Sequence, residues 1–223
     1  GSIRVEINRV EDNANHILPG DIFIARKGNK SSGISFIDSA LEKGAVAVVV
    51  DDEAYFNTSE LSVPIVWVPN CLSFIAYASA KMYNFPAEAL KVIAVTGTNG
   101  KTTVTHFIGQ ILNNLNNKTM VIGTNGVFID GEKCYQEMES LTTLQAKNIH
   151  YLFSEAIRLD IPYVVLEASS IGLEKHRLDY CDIDLGIFLN VTEDHIEDHG
   201  SFERYKMSKQ ILATLAKRNI INS

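Results

Sequence analysis

The chain has 223 residues, 46% hydrophobic and 21% charged, which is the composition of a globular protein and excludes a disordered or collagen-like polymer. Its 20 lysines and arginines against 27 aspartates and glutamates give a net charge of −7, which excludes the broad basic surface of a nucleic-acid-binding or membrane-surface protein, so any basic site must be local. At about 100–200 residues per domain, this length allows one large domain or two small ones.

Residues 3–88 are predicted to form a small N-terminal α/β domain, because short apolar runs alternate with helical segments. Strands are predicted over 21–25, 45–50 and 64–68, and helices over 37–43 and 72–83. A turn-rich segment, 27–33, separates the first strand from the first helix. Pro86 and the residues after it precede a new apolar run, and we place the domain boundary near residue 88.

Residues 89–223 repeat the strand–helix rhythm more strongly. Strands are predicted over 92–96, 119–122, 163–168 and 185–190, and helices over 101–115, 144–159 and 202–217. The strands are apolar without alternation, which is typical of a parallel sheet covered by helices on both faces. We therefore predict a central mononucleotide-binding domain with a mostly parallel, doubly wound sheet.

The segment TGTNGKTT, residues 96–103, lies between a predicted strand and a predicted helix, as a phosphate-binding loop requires. The glycines let the backbone approach phosphate oxygens, Lys101 neutralises their charge, and the Thr102 hydroxyl suits Mg²⁺. The general loop pattern has a glycine where this chain has Val95, so the match is to a shorter form, TGxxGKT. The alternative is a glycine-rich turn with a solvated lysine. The predicted ATP-binding residues are Gly97, Thr98, Asn99, Gly100, Lys101, Thr102 and Thr103.

No feature of the sequence indicates a membrane segment or a disulfide. Apolar runs such as 45–50 and 161–166 are far shorter than the roughly 20 residues of a membrane helix, and no charged-then-apolar leader opens the chain. Cys71, Cys134 and Cys181 are widely spaced without a CxxC motif, which predicts reduced thiols and no zinc site. We expect a cytoplasmic protein whose first two residues are a cloning remnant. The sequence does not indicate an oligomeric state.

TGTNGKTT resembles the phosphate loop of the Mur ligases, ATP-dependent enzymes that add amino acids to the cytoplasmic peptidoglycan precursor. Four further matches follow in order along the chain. They are LTT at 141–143, where Leu144 replaces the family's proline; EASS at 167–170; His176-Arg177; and LNVTEDH at 189–195, followed fourteen residues after His195 by Lys209. Five motifs in the same order support the resemblance, whereas one motif by itself would not.

The N-terminal domain resembles that of the MurE branch through PGDIFIA at 19–25, GAVAVVV at 44–50 and DHG at 198–200. Three positions depart from the branch. Asn13-Ala14-Asn15 replaces a DSR segment whose arginine helps hold the uridine, and asparagine offers no such bidentate partner. Lys175 stands where the branch often has glutamine, and Ile171 where it often has histidine.

The resemblance implies a reaction and a set of roles. A substrate carboxylate attacks the γ-phosphate of ATP to give an acyl phosphate and ADP, and an amino group then displaces phosphate to form the amide. Lys101, Glu167, His195 and Lys209 are the implied catalytic residues, with Thr102, Glu167 and His195 holding Mg²⁺ and Asn190 contacting the nucleotide. Carbamylation of Lys209 would turn a repelling ammonium into an anion that attracts the metal ions. Thr142, Thr143, Ser169, Lys175 and Arg177 are implied to bind a UDP-N-acetylmuramoyl-peptide acid.

Each implied site residue also has a purely structural interpretation. Glu167 could be a solvated or capping carboxylate, and Ser169-Ser170 a helix cap. His195 and His199 could be surface histidines in a charged loop, and for His199 we expect this. Lys209 would ordinarily lie on the solvated face of an amphipathic helix.

The chain ends inside the expected central domain, so we expect a fragment that lacks the C-terminal ligase domain and is inactive by itself. Two other functions stay open. One is a nucleotide-binding pseudo-ligase, and the other is a Mur-like ligase that acts on an acid outside peptidoglycan synthesis.

Overall fold

A computed structural model describes residues 4–28, 32–192 and 196–222. The chain divides into two compact units, Gly1–Ala78 and Ser79–Ser223. The predicted domain boundary near residue 88 lies within the second unit, in the short 3-10 helix Pro86–Ala89, and stays a prediction. No helix among the described residues is both long and apolar enough to cross a membrane.

The first unit contains a four-stranded parallel sheet with the order β1-β2-β3-β4. Its strands are β1 Val10–Glu11, β2 Ile22–Ala25, β3 Ala47–Val50 and β4 Ile65–Trp67, and the helices of the N-terminal part are α1 Ile37–Glu42, α2 Glu53–Thr58 and α3 Cys71–Met82. Strands β2 and β3 are buried along their whole length, as their apolar runs predict. Helix α2 was not predicted because it is short; Asp52 starts it by accepting a hydrogen bond from the Tyr55 N–H at 2.8 Å.

The second unit contains a seven-stranded sheet with the order β11-β10-β5-β9-β6-β7-β8. The strands are β5 Lys91–Thr96, β6 Thr119–Gly123, β7 Gly126–Ile129, β8 Glu132–Cys134, β9 Tyr163–Glu167, β10 Leu185–Phe188 and β11 Asn219–Ile221. The helices are α4 Lys101–Asn114, α5 Ala146–Arg158, α6 Ser170–Glu174, α7 Ile196–His199 and α8 Phe202–Leu215. The predicted α/β class with a mostly parallel sheet is confirmed.

The antiparallel part of this sheet is the main departure from the predicted elements. β6, β7 and β8 pair as two consecutive antiparallel hairpins. The second turn holds Asp130 and Gly131, with φ angles of 50° and 90°. An Asp-Gly pair with both φ angles positive is the preferred two-residue hairpin turn, so the sequence did carry a signal for this feature.

The strand order brings four loops to one edge of the sheet. β5 lies between β10 and β9, and β9 pairs with β6, all in parallel. The carboxyl ends of parallel strands meet at the same edge, where open α/β sheets bind their ligands. This edge therefore collects the loops that follow β5, β6, β9 and β10. The core of the unit lies on the face of the sheet that α5 covers, around Met120, Leu152, Phe153, Val164 and Leu166.

Candidate functional site

The loop between β5 and α4 depends on two glycines. Gly100 adopts φ 88°, a left-handed conformation that L side chains rarely take, at the N-terminus of α4. At Gly97 a Cβ atom would lie 3.0 Å from the Leu189 Cβ, so a larger residue would push against the neighbouring loop. This loop leads directly into the N-terminus of a 14-residue helix, the arrangement that binds phosphate anions.

The segment after β10 braces the loop. The Thr98 N–H donates to the Asn190 carbonyl at 3.0 Å, and the Asn99 N–H donates to Asn190 Oδ1 at 3.0 Å. The Asn190 amide donates back to the Asn99 carbonyl at 3.1 Å. Further along, the Thr192 N–H donates to Thr98 Oγ1 at 3.0 Å. In this structure Asn190 therefore holds the backbone of the loop in place.

Two lysines from distant parts of the chain meet at this loop. Lys101 Nζ donates to the carbonyls of Gly97 at 2.9 Å and Thr98 at 3.0 Å. Lys209 Nζ, on α8, also donates to the Gly97 carbonyl at 2.9 Å, and it lies 4.4 Å from the centroid of the Tyr205 ring. Lys209 is 2% exposed, so its interpretation as a solvated helix-face residue is wrong. Two ammonium groups on one carbonyl make a strongly positive point in a chain of net charge −7.

Glu167 ends β9 facing the start of α4. Its carboxylate accepts hydrogen bonds from Thr102 Oγ1 at 2.9 Å, the Thr124 N–H at 2.9 Å and Thr124 Oγ1 at 3.2 Å. It is 1% exposed, so its interpretation as a solvated carboxylate is wrong. The last residue of β6, Gly123, leaves the space that this carboxylate fills, because a Cβ there would lie 2.6 Å from Glu167 Cδ.

A second group of polar residues surrounds the segment after β9. The Thr143 hydroxyl donates to the Glu167 carbonyl at 2.8 Å and accepts from the Ser169 N–H at 2.8 Å. Arg177 is 8% exposed, and its Nη1 donates to the Thr143 carbonyl at 2.7 Å. Ser169 does cap α6, accepting from the Gly172 N–H at 3.0 Å, so its structural interpretation holds beside any role in binding.

The two lysines and the polar residues around the segment after β9 open onto one cavity of about 190 Å³ within the second unit, whereas Thr102 and Glu167 do not line it. It is lined by six of the predicted site residues, Lys101, Thr142, Thr143, Ser169, Arg177 and Lys209, and by four others, Leu141, Ser170, Ile171 and Tyr205. Lys175 is exposed at the C-terminal end of α6 and does not line it. His195 lies outside the described residues. The cavity thus joins the phosphate loop to the residues implied to bind the acid.

Sequence reasoning missed Thr124 and Tyr205. Thr124 holds Glu167, and its Oγ1 also lies 3.1 Å from Thr142 Oγ1, which connects the carboxylate to the cavity wall. The Tyr205 hydroxyl donates to Thr98 Oγ1 at 3.0 Å. Nothing in the sequence pairs these positions with the loop, because Tyr205 and Thr98 are 107 residues apart.

The expected surface position of His199 is wrong. The residue is 5% exposed. Its Nδ1 lies 3.1 Å from Glu174 Oε1 and its Nε2 lies 3.0 Å from Ser170 Oγ. Ser208 also hydrogen-bonds Glu174. Charged residues surround His199 in the sequence and predicted a surface position, but the fold places its side chain in the interior.

Few side chains in the described part of the chain are placed to ligate a metal ion. No group of three or more His, Cys, Asp or Glu side chains there is arranged to hold a metal ion. Thr102 and Glu167 are oxygen donors in mutual contact, the type that Mg²⁺ prefers. Burial raises the pKa of the Cys181 thiol, and burial together with Asp51 raises the pKa of the Cys71 thiol to about 12.

Comparison with known proteins gives two family matches that together span nearly the whole chain. The Mur ligase family, catalytic domain, matches residues 6–96, and the Mur ligase middle domain matches residues 95–223. UDP-N-acetylmuramoyl-L-alanyl-D-glutamate–2,6-diaminopimelate ligase of Caldanaerobacter subterraneus subsp. tengcongensis is 35% identical over 223 residues, covering 100% of this chain and 45% of the relative. UDP-N-acetylmuramoyl-L-alanyl-D-glutamate–2,6-diaminopimelate ligase 2 of Clostridium acetobutylicum is 33% identical over 222 residues, covering 100% of this chain and 46% of the relative.

Solved structures agree. A UDP-N-acetylmuramoyl-L-alanyl-D-glutamate–2,6-diaminopimelate ligase superposes with a TM-score of 0.78 at 29% identity, covering 97% of this chain and 43% of that one. A MurF ligase from Thermotoga maritima, solved in complex with ADP, shares the fold with a TM-score of 0.57 at 24% identity, covering 94% and 43%. This chain spans under half the length of the relatives it matches. Its matched residues, motifs and fold assign the chain to the Mur ligase family.

Proposed function

We propose that this chain is the ATP- and acid-binding part of an ATP-dependent ligase that joins an amino acid to a UDP-N-acetylmuramoyl-peptide acid in peptidoglycan precursor synthesis. The observation that carries the proposal is the cavity in which Lys101 and Lys209 face the same space as Thr143 and Arg177. A phosphate loop that shares a cavity with a buried arginine suits phosphoryl transfer to a carboxylate. The relatives' names point to UDP-N-acetylmuramoyl-L-alanyl-D-glutamate as the acid and 2,6-diaminopimelate as the amine.

The assignment of regions follows from the same proposal. Residues 3–88 would bind the uridine end of the acid, and residues 89–223 would bind ATP. The relatives are more than twice as long as this chain.

ATP would bind with its phosphates at residues 97–103. The backbone N–H groups at the start of α4 and the Lys101 ammonium supply the donors, and both act on the charge that spreads over the transferring phosphoryl group. The Asn190 contacts keep these donors fixed before the substrate arrives. Fixed donors cost little reorganisation when the charge develops, so they contribute to the rate as well as to affinity.

Thr102 and Glu167 are proposed to hold Mg²⁺. The pair fits the ion because both side chains are oxygen donors, they lie 2.9 Å apart, and the carboxylate is buried, which makes its negative charge effective. A bound Mg²⁺ would neutralise charge on the phosphates. His195 is the third proposed ligand and lies outside the described residues.

The acid is proposed to bind through Thr142, Thr143, Ser169, Lys175 and Arg177, of which all but Lys175 line the cavity. Arg177 can orient a carboxylate for attack on the γ-phosphate, and Thr143 holds the arginine through its carbonyl. Attack forms the acyl phosphate and ADP. The amine then displaces phosphate to give the amide.

Lys209 is proposed to react with CO₂. The neutral amine adds to the carbon of CO₂, forming an N–C bond and releasing a proton, and the product is a carbamate anion. Lys209 is buried and lines the cavity together with Lys101 and Arg177, so the carbamate would be an anion among cationic side chains.

Binding of ATP, measured by isothermal titration calorimetry with MgCl₂, tests the proposal. We expect Lys101→Ala to abolish detectable ATP binding, because it removes the cation at the phosphate loop. Lys118→Ala is the matched control, since Lys118 is exposed on the same unit, and it should bind like the wild type. Unchanged affinity in Lys101→Ala would refute the phosphate-loop assignment.

Titration with UDP-N-acetylmuramoyl-L-alanyl-D-glutamate separates the competing functions. The ligase proposal expects the acid to bind to the ATP-loaded protein. A protein that binds ATP and not the acid would favour the pseudo-ligase or a ligase for another acid.

A further inference from the structure

A buried cluster of polar side chains adjoins the cavity and has no part in the roles assigned above. The His199 side chain is fully buried, and its ring packs against Tyr205 with a centroid distance of 5.4 Å. Glu174 on α6 contacts His199 on one side, and Ser170, the first residue of α6, contacts it on the other. Ser170 also lines the cavity, so one member of the cluster faces the space that holds the predicted site residues.

The hydrogen-bond partners determine where the protons of this cluster lie. A carboxylate oxygen accepts hydrogen bonds, so the 3.1 Å contact between His199 Nδ1 and Glu174 Oε1 is made by a proton on Nδ1. A neutral imidazole has a single N–H, which leaves Nε2 as an acceptor. Ser170 then donates its hydroxyl proton to Nε2. Its oxygen lone pairs remain, and they are available to the cavity.

The rest of the cavity wall is rich in donors. Lys101 and Arg177 contribute cationic N–H groups, and the Thr143 hydroxyl proton is already donated to the Glu167 carbonyl. The Ser170 oxygen is therefore an acceptor in a wall built to hold anions. It suits an uncharged N–H group, because an ammonium would be repelled by Lys101 and Arg177.

We propose that Ser170 binds an amide N–H of the acid substrate, and that His199 and Glu174 are positioning residues that fix the direction of its hydroxyl. The inference rests on the proposed function, since it names a contact of the same acid. The chemistry required is an N–H donor. Both the amide groups of the acid and the ammonium of the incoming amino acid contain one, and the test distinguishes them.

The test is calorimetric titration of the Mg·ATP-loaded protein with UDP-N-acetylmuramoyl-L-alanyl-D-glutamate, and separately with 2,6-diaminopimelate. Loss of one hydrogen bond corresponds to about a 5- to 10-fold change in dissociation constant. We expect Ser170→Ala to raise the dissociation constant for the acid by that factor and to leave ATP affinity unchanged. His199→Leu should have the same selective effect, whereas His199→Gln, which retains an amide near the Nε2 position, should restore most of the affinity.

Ser208→Ala is the matched control, because it removes a hydroxyl from the same buried cluster without facing the cavity. It should bind the acid within twofold of the wild type. Equal affinity of Ser170→Ala and wild type for the acid would overturn the inference, as would a parallel loss of ATP affinity, which indicates a structural effect. Weaker diaminopimelate binding with unchanged acid binding would assign the contact to the ammonium and also overturn it. A wild type that binds ATP and not the acid would instead overturn the proposed function.

Discussion

His150 makes the second unit sensitive to acid. It lies on α5 with 0% exposure, with its ring edge-on to Phe153 at a centroid distance of 6.0 Å. Its Nε2 lies 3.3 Å from the Asp179 carbonyl, and its Nδ1 has no hydrogen-bond partner within the described part of the chain. Burial disfavours the charged ring and lowers its pKa from 6.5 to about 4, although the carbonyl acts in the opposite direction.

The stability consequence follows from the two pKa values. Between them the unfolded chain binds a proton that the folded chain does not, so the free energy of unfolding rises with pH. The stabilisation is complete above the unfolded value of 6.5 and is lost as the pH falls toward the folded value of about 4. The full difference corresponds to about 3.4 kcal/mol. Of this, about 2 kcal/mol is lost between pH 7.5 and pH 5.

Urea unfolding of the wild type and His150→Leu, followed by circular dichroism across this pH range, measures the effect. Leucine does not titrate. The packing change that the substitution causes is independent of pH, so it cancels when the difference in unfolding free energy between the two proteins is compared at different pH values. We expect the wild type to lose about 2 kcal/mol relative to His150→Leu between pH 7.5 and pH 5. The exposed His16, changed to leucine, is the control and should leave the pH dependence of the wild type unchanged. A difference that stays constant over this range would refute the reasoning, as would an imidazole resonance of His150 that titrates near 6.5.

Two other predictions concern the site. Gly123→Ala places a Cβ against the Glu167 carboxylate, 2.6 Å from its Cδ, so we expect the gain in ATP affinity on adding Mg²⁺ to fall by about tenfold or more while affinity in EDTA is retained. An unchanged Mg²⁺ effect in calorimetry would show that Glu167 does not hold the ion. For Lys209, ¹³C-bicarbonate should produce a carbamate carbon signal in the wild type that is absent from Lys209→Met. A spectrum without that signal at saturating bicarbonate and MgATP would contradict carbamylation.

The sequence predicted those parts of the fold that depend on local pattern. β5, the phosphate loop and α4 were predicted nearly to the residue, because an apolar run, two glycines and a helix follow one another directly. β7 and β8 were missed although Asp130-Gly131 marks the turn between them, since these strands are only four and three residues long. Short strands give too little alternation to recognise.

The site residues divide in the same way, into those that a local sequence motif identifies and those that only the tertiary structure identifies. Lys101 and Glu167 were found because motifs carry them, and Lys209 was found by its spacing from a motif. Thr124 and His199 were not, because their roles come from tertiary contacts alone. Thr124 reaches a carboxylate 43 residues away, and His199 is buried by helices whose packing no local pattern specifies.

The bracing of the phosphate loop has a consequence for folding. The hydrogen bonds between Asn99 and Asn190 join positions 91 residues apart, and the bond from Lys209 to the Gly97 carbonyl spans 112. Closing loops of this size has an entropic cost that must be met before the contacts form, so such contacts are slow to appear. The strand and helix on either side of the loop can form early from local contacts, whereas the loop takes its final shape only after β10 and α8 have docked. Its shape therefore depends on completion of the sheet, and a folding intermediate without α8 would lack the Lys209 contact at the loop.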